Sequence, residues 1–333
     1  MDAKIKQIED NGFLVAVGAI NSSDNTPDWL KTLIEKESPK DVLYLLDIAN
    51  QHSTYCTDIR TIAYWNQHYV DKRIAFVAAE AGHLNPLTGK KYKDDPKIIA
   101  FHPMFLNHNS GDWNVQDFDG DVACPTGTKT VNQHKQWMDA GWTQAKILTA
   151  FYQVLDANAA AWPNKALKMP IGGIKMADMN EGKGYGWMAQ QVANHIEASS
   201  YANRFYLGRA VLANQWQDGT YWDDASHKPD IVTATDTYIR WMMRDWAKRH
   251  SGHITLQTVS SGINDGCRLI GQDTSCAVGA DPCEPVCVLK KVIEKSMSYG
   301  SPVFEGWIQV TSNPIMYSMM LEKTKAMGGT PRP

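Results

Sequence analysis

Short apolar runs alternate with segments of helical periodicity along much of this chain. Each run is apolar at successive positions, which is typical of strands that are buried on both faces. Eight runs occur, at residues 13–20, 42–48, 73–80, 98–105, 171–177, 204–212, 253–260 and 302–310. Helical patterns fill most intervals, at residues 27–36, 54–71, 130–161, 185–199, 229–249, 284–299 and 314–326. The alternation predicts a parallel sheet that is covered by helices.

The number of repeats favours one α/β architecture, a closed (β/α)8 TIM-like barrel, over an open doubly wound sheet. No Gly-x-Gly-x-x-Gly opens a predicted helix, which argues against a dinucleotide-binding domain. Residues 80–98 are turn-like and interrupt the repeat. No linker or internal repeat divides the 333 residues, so we predict one barrel domain over residues 1–333. Its long βα loops are expected at residues 106–129, 214–228 and 261–283.

Composition narrows the class of protein without identifying it. The chain is 43% hydrophobic and 21% charged, which is typical of a folded globular protein. Its net charge of −3 gives no reason to expect a nucleic acid or an anionic membrane as a partner. No apolar run reaches the roughly 18 residues of a membrane span, and the first residues predict no signal peptide. A few of the 12 Trp are candidates for flat platforms that hold sugar rings.

Four of the six cysteines lie close together in a segment that is rich in Gly, Asp and Pro, namely Cys267, Cys276, Cys283 and Cys287. One or two disulfides are expected there, because the segment has little apolar material to stabilise it. Zinc is the alternative, although no Cys-x-x-Cys is present. Cys56 and Cys124 are expected to be free or buried thiols rather than a pair. Disulfides would indicate an extracellular, virion-surface or cell-surface location.

Polar residues follow several of the predicted strands. Glu181 comes directly after Asn180, close to the run at 171–177, and Glu305 lies inside the run at 302–310. Because the carboxyl ends of barrel strands meet at one mouth, the two carboxylates are expected to lie in one active site. Further substrate-binding candidates are Asp47, Glu80, His102, Asn214, Trp216 and Trp307.

The Asn-Glu pair at a strand end, with a later strand that bears Glu, resembles the large clan of retaining (β/α)8 glycoside hydrolases (clan A type). The resemblance implies that Asn180 holds the sugar 2-hydroxyl, that Glu181 is the acid/base and that Glu305 is the nucleophile. It also implies a sugar platform at Trp307 or Trp216.

The strand numbering departs from this family by one. The family's glutamates end the fourth and seventh strands, whereas the eight runs place Glu181 and Glu305 on the fifth and eighth. The numbering agrees only if one of the runs between residues 73 and 105 lies outside the barrel.

A pair of carboxylates suits the cleavage of a glycosidic bond. One carboxylic acid protonates the leaving oxygen, and the other carboxylate attacks the sugar or activates water. The acid requires a raised pKa, from apolar surroundings or from its partner's negative charge. The sequence therefore predicts hydrolysis of a poly- or oligosaccharide without a cofactor.

Two other functions remain open at this point. One is a non-catalytic carbohydrate-binding or virion/cell-surface recognition protein on a barrel scaffold. The other is a metal-dependent barrel hydrolase that uses His83, His102 or His108 with Asp47 or Glu80, although no His-x-His or His-Glu-x-x-His is present.

The acidic stretch around residue 120 is a candidate for structural calcium. Asp117, Asp119 and Asp121, with Gly120 among them, have the carboxylate spacing of a calcium loop, but the distal Glu of an EF-hand is missing. The alternative is a solvated acidic turn.

Overall fold

The computed structural model describes residues 1–18, 25–48, 55–106, 113, 115–174, 176–209, 228–234, 236–257, 303–305 and 318. These residues form a mixed α/β fold. Its helices are α1 (Asp2–Asp10), α2 (Asp28–Glu37), α3 (Gln67–Gly82), α4 (Gln133–Asp139), α5 (Gln144–Ala161), α6 (Trp187–Glu197) and α7 (Asp236–Arg249). Short 3-10 turns lie at Pro39–Asp41, Tyr92–Asp94 and Ala202–Arg204.

The strands fall into one main sheet and three hairpins. The main sheet contains β1 (Val15–Val17), β6 (Ile98–Phe101), β9 (Ala166–Pro170), β10 (Phe205–Arg209), β11 (Ile254–Gln257) and β12 (Val303–Glu305). The hairpins pair β2 (Val42–Leu46) with β3 (Asp58–Ile62), β4 (Leu84–Asn85) with β5 (Lys90–Lys91), and β7 (Asp119–Cys124) with β8 (Gly127–Asn132).

The six described strands of the main sheet are all parallel and stand side by side in chain order. Helices α3, α5, α6 and α7 each lie in the chain between two successive strands of this sheet. Consecutive helices also pack on each other, α3 on α5 and α5 on α6. The sheet is therefore singly wound over the described strands, without the reversal of order that defines a doubly wound fold. The prediction of a parallel sheet covered by helices is confirmed.

The core lies between this sheet and its helices. Phe101 of β6 stacks on Trp162, which ends α5, with ring centroids 4.5 Å apart. Leu167 and Leu207 point to the same layer and are fully buried. In the same core cluster, Trp137 stacks on Tyr64 with ring centroids 5.1 Å apart. Packing, rather than exposure to ligand, accounts for these tryptophans.

The predicted strand at 73–80 is wrong, since these residues belong to α3. The buried positions of α3 include Tyr69, Val70, Arg73 and Val77, and their spacing follows the turn of a helix rather than the alternation of a strand. The side chain of Asn66 caps the helix by accepting the N–H of Tyr69 at 3.3 Å. With this run and the run at 42–48 both outside the main sheet, the segment that carries Glu181 follows the third described strand of the sheet and Glu305 ends the sixth.

Other boundaries also differ from the predictions. The run at 42–48 contains a strand, but β2 pairs antiparallel with β3 outside the main sheet. Strand β9 ends at Pro170, just before the run predicted at 171–177. The long helix predicted at 130–161 is divided into β8, α4 and α5, with Gly141 at φ +88° between the two helices. The helix predicted at 284–299 lies outside the described residues.

Cys56 and Cys124 form a disulfide, which corrects the expectation of free thiols. The bond joins the end of the β2–β3 connection to the β7–β8 hairpin. Nearby contacts support this junction, because the Tyr55 hydroxyl donates to the Ala123 carbonyl at 2.5 Å and Lys129 Nζ donates to the Cys56 carbonyl at 3.1 Å. The contact between the two hairpins brings Cys56 and Cys124 together, and the spacing of the cysteines in the sequence does not reveal that contact. The cysteine cluster at residues 267–287 lies outside the described residues.

Candidate functional site

The carboxyl ends of the main-sheet strands lie along one edge of the sheet, because all six described strands are parallel. His102 directly follows β6, the segment 171–186 follows β9, and β11 and β12 end at Gln257 and Glu305. Gln257 and Glu305 are register partners. Parallel α/β sheets bind their ligands beyond this edge. The candidate site of this protein is therefore the carboxyl edge of the main sheet.

His102 is held at this edge in a neutral state. Its backbone N–H donates to the Val17 carbonyl of the neighbouring strand β1 at 2.9 Å. Burial lowers the pKa of His102 to about 3, and the nearby charge of Lys168 lowers it further in the same direction. The imidazole is therefore uncharged at neutral pH, so one ring nitrogen can donate a hydrogen bond and the other can accept one.

The side chain of Glu181, in the segment after β9, contacts the first residue of helix α5. Its Oε1 accepts the backbone N–H of Gln144 at 2.8 Å, and its Oε2 pairs with Lys183 Nζ at 2.6 Å. The hydrogen bond from Lys183 lowers the pKa of Glu181, and the Gln144 N–H adds to this effect. A negative charge is stabilised at a helix N-terminus. In this arrangement Glu181 is ionised, which suits a base and is opposite to the state that a general acid requires.

The segment that carries Glu181 is fixed to the connection between α4 and α5. The Met179 carbonyl accepts hydrogen bonds from Trp142 Nε1 at 2.9 Å and from Gln144 Nε2 at 3.2 Å. Asn180 is buried, and its side-chain N–H donates to the Ile174 carbonyl at 3.4 Å. Asn180 therefore stabilises the turn itself, so a contact to a sugar would have to use its other polar atoms.

A histidine between two carboxylates connects this segment to the β7–β8 hairpin. His134 Nε2 lies 2.8 Å from an oxygen of Asp178, and its Nδ1 lies 3.4 Å from an oxygen of Asp119. The His134 backbone N–H also donates to Asp119, at 2.9 Å. The segment after β9 and the β7–β8 hairpin are thus linked through His134.

Two predicted site residues lie elsewhere in the fold. Asp47 is fully buried and its backbone pairs with that of Thr57 beyond the β2–β3 hairpin. Glu80 is a buried residue of α3 rather than the end of a strand. Burial raises the pKa of Glu80 to about 7. Asn214, Trp216, Trp307 and His108 lie outside the described residues.

The histidines of the metal hypothesis are separated. His83 follows α3 and contacts Asp2 at 3.0 Å, and its carbonyl accepts the N–H of Tyr92 in the turn that precedes β6. His102 follows the other end of β6. Over the part of the chain that the structure describes, no three His, Cys, Asp or Glu side chains are grouped so that they could hold a metal ion.

The acidic stretch near residue 120 is part of a strand. Asp119 and Asp121 lie on β7, where alternate positions are about 7 Å apart along the chain. Asp119 bonds to His134, and Asp121 accepts the Thr130 hydroxyl at 2.6 Å. In a calcium loop the carboxylates surround one ion. Calcium binding by Asp119 and Asp121, with Asp117 as a further ligand, stays a prediction.

Sequence reasoning missed several polar residues on the face of the sheet that points away from the helices. They are Lys168 of β9, Tyr206 of β10 and Thr255 of β11. The signal was a lysine in the middle of the apolar stretch Ala-Leu-Lys-Met-Pro, and it is visible only when β9 is placed at residues 166–170.

No protein-family model matches the chain, and the search of curated proteins gave no match. None of the helices in the described ranges is long and apolar enough to cross a membrane.

Proposed function

We propose that this protein is a (β/α)8 glycoside hydrolase that cleaves a poly- or oligosaccharide at the carboxyl edge of its sheet by a retaining mechanism. One observation carries the proposal. In the described sheet the segment with Glu181 follows the third strand and Glu305 ends the sixth, so the two glutamates are three strands apart. The resembled hydrolases have the same separation between their two catalytic strands.

Closure of the sheet into a barrel is part of this proposal. Adjacent strands in a sheet are rotated by roughly 20–25° in a constant sense. Six parallel strands in chain order, with α3 packed on α5 and α5 on α6, support this part of the proposal, because a barrel has the same order of strands. Any further strand of the barrel would have to lie beyond β1 or beyond β12, because the six described strands are consecutive neighbours.

The proposed chemistry assigns different roles to the two glutamates. Glu305 attacks the anomeric carbon and forms a glycosyl-enzyme intermediate, which water then hydrolyses. Glu181 acts as acid in the first step and as base in the second. Its ionised state fits the second step. The first step requires that substrate binding release Glu181 from Lys183 and Gln144, because loss of these hydrogen bonds would raise its pKa.

A second function is favoured by the same contacts. If Glu181 remains bound to the N-terminus of α5, the site binds carbohydrate without cleaving it. The Cys56–Cys124 disulfide suits an extracellular or surface location for either function.

The test is a hydrolysis screen on a panel of polysaccharides with the parent protein, Glu305→Gln and Glu181→Gln, measured as new reducing ends. The hydrolase proposal expects turnover by the parent and a loss of several orders of magnitude in both variants. Glu37→Gln changes an exposed carboxylate of α2 and is the matched control, with unchanged turnover expected. Sugar binding without turnover by the parent would favour the second function, and full activity of Glu305→Gln would contradict the first.

A further inference from the structure

Residues 176–183 form the turn that carries Glu181, and we name this segment the Glu181 turn. The Glu181 N–H donates to the Asp178 carbonyl at 3.1 Å, and the Asp178 side chain accepts the Met179 N–H at 3.0 Å. Asp178 therefore lies at the centre of the turn. Because its backbone is bonded to that of Glu181, a shift of Asp178 also shifts Glu181.

The β7–β8 hairpin is the well-anchored neighbour of this turn. Its two strands pair over 6 residues each, and Cys124 at the end of β7 is bonded to Cys56. Gln133, directly before His134, is fully buried, and its side chain donates to the Leu46 carbonyl at 2.5 Å. The backbone at His134 is therefore held in place by contacts that do not involve the His134 ring.

The ring of His134 lies between two carboxylates that come from different elements. Its Nδ1 is 3.4 Å from Asp119 Oδ2 on β7, and its Nε2 is 2.8 Å from Asp178 Oδ1 in the Glu181 turn. Among the described residues, these are the charged side chains in contact with the ring, since Lys135 on the same helix pairs with Asp139. The His134 side chain is 15% exposed, so salt screens these charges less than it would on an open surface.

The two contacts depend on the charge of the ring to different degrees. On the hairpin side, the His134 backbone N–H donates to Asp119 at 2.9 Å, and this bond is independent of pH in the histidine range. On the other side, Nε2 makes no aligned hydrogen bond despite its short distance to Asp178, so the attraction there is between an imidazolium and a carboxylate. A neutral ring would instead turn a lone pair toward one of the two anionic side chains. Loss of the proton therefore weakens the hold on Asp178 and leaves Asp119 bound.

We propose that His134 is a proton-dependent latch, whose imidazolium holds Asp178, and with it the Glu181 turn, against the β7–β8 hairpin. Histidine is the side chain that changes charge between pH 5 and 8. The folded state fixes two carboxylates beside the ring and the unfolded chain does not, so the latch is closed at mildly acidic pH and opens as the pH rises. His134 is thus a positioning residue for Glu181. Its link to catalysis rests on the proposed function, whereas the latch itself does not.

The test is hydrogen exchange of the full chain, measured by mass spectrometry on peptides that cover residues 176–183 and corrected for the intrinsic effect of pH on exchange. In the parent, the protection of this turn is expected to fall about threefold or more from pH 5.5 to pH 8, because the turn opens locally. In His134→Gln the protection should be low and equal at both pH values, since glutamine carries no charge. Asp178→Asn should have the same effect, and it changes a half-exposed side chain, so it serves as a second variant if His134→Gln fails to fold.

His68→Gln is the matched control for the loss of a histidine ion pair. His68 of α3 lies 2.7 Å from Glu37 of α2, away from the Glu181 turn in the chain and in the fold. Protection of the turn in this variant should follow the parent at both pH values. A merely structural role for His134 would lower the protection in His134→Gln by the same factor at both pH values and would leave the pH dependence of the parent in place.

The outcomes distinguish the latch from the proposed function. Equal protection of the turn at the two pH values in the parent, or the same pH dependence in either variant as in the parent, would overturn the latch. Neither result bears on hydrolysis by Glu305. Conversely, a turn that opens with rising pH only while His134 and Asp178 are both present, in a protein that turns over no polysaccharide, would support the latch and contradict the hydrolase.

Discussion

The carboxylate of Glu181 accepts the backbone N–H of Gln144 at 2.8 Å, and this contact fixes the segment after β9 to the first turn of α5. Thr143, the residue before it, accepts the Lys146 N–H at 3.3 Å, so two oxygens satisfy donors at this helix end. The backbone of Glu181 has φ +53°, a conformation that few residues other than glycine adopt. Strain of this kind concentrates at functional sites. At Glu181 it accompanies the hydrogen bond from the Gln144 N–H to the side-chain carboxylate.

The role of Glu181 as a helix cap predicts a loss of stability when it is removed. Glu181→Ala should lower the free energy of unfolding by about 1 kcal/mol at neutral pH, and Glu181→Gln by less, because glutamine can still accept the N–H. The pKa of Glu181 is lowered in the folded state, so its contribution is present above the ordinary glutamate pKa of about 4.3 and is lost as the pH falls through the folded value. Urea unfolding at neutral and acidic pH measures this, and an equal loss at both would contradict it.

We predict that loss of the Cys56–Cys124 bond, by reduction or by substitution, strongly lowers the melting temperature. It closes a loop with a sequence separation of 68, for which the chain-entropy relation gives about 4 kcal/mol of stabilisation. The double variant Cys56→Ser, Cys124→Ser should therefore melt well below the parent under oxidising conditions. Under reductant the parent and the variant should melt together, because neither then has this bond, and any bond among the cysteines at 267–287 would be lost from both alike. Identical melting of oxidised parent and variant would show that the bond does not form in solution.

Because Glu80 is buried, we predict that its contribution to the free energy of unfolding falls as the pH rises. Its Oε2 is buried and has no hydrogen-bond partner among the described residues, and burial raises its pKa to about 7. A raised pKa means that the folded state binds the proton more tightly than the unfolded state. The contribution is therefore present below the ordinary glutamate pKa and is lost as the pH rises through about 7.

Glu80→Gln measures this contribution, because glutamine stays neutral at every pH. The variant should match the parent near pH 5 and exceed its free energy of unfolding by on the order of 2 kcal/mol near pH 8. Asp58→Asn, at an exposed carboxylate of β3, is the control and should differ from the parent by the same amount at both pH values. If Glu80→Gln gives the same difference at both pH values, Glu80 does not titrate between them.

We predict that the addition of a single methyl group at Gly184 strongly destabilises the protein. It has φ +100°, and a Cβ there would collide with the carbonyl of Ile231. Gly184→Ala should destabilise the protein by several kcal/mol, because backbone atoms cannot move aside as a flexible side chain can. Gly89→Ala is the matched control, since Gly89 has φ +69° but no heavy atom near its Cβ position. Its cost should be limited to about 1 kcal/mol of backbone strain, and equal melting of the two variants would contradict the collision.

The sequence predicted the parallel sheet because strands buried on both faces carry a local signal. The runs that became β1 and β6 are apolar over successive residues, and those that became β10, β11 and β12 each contain apolar residues that could be recognised without knowing which strand they pair with. The segment at 73–80 misled because it is short and apolar, and such runs do not separate strand from buried helix. Only the wider stripe that includes Tyr69 and Val70 reveals the helix.

The candidate site was less predictable, since it depends on contacts between distant parts of the chain. That Glu181 would meet the N–H of Gln144 follows from how the loop after β9 packs on α5, and sequence spacing carries no trace of it. The same holds for Thr255 and Lys168, which share the space above Gly208 only through strand register. A shift of one residue in β9 would send Lys168 to the helix side.

The most direct test of the proposed hydrolase is to trap its covalent intermediate. A 2-deoxy-2-fluoro glycoside of the sugar that the parent cleaves best slows both steps and accumulates the glycosyl-enzyme, which peptide mass spectrometry locates. We predict one label per chain on Glu305 and none in Glu305→Gln. Hydrolysis of the natural substrate with the label on a different carboxylate, or with no label at all, would contradict the assignment of Glu305 as the nucleophile.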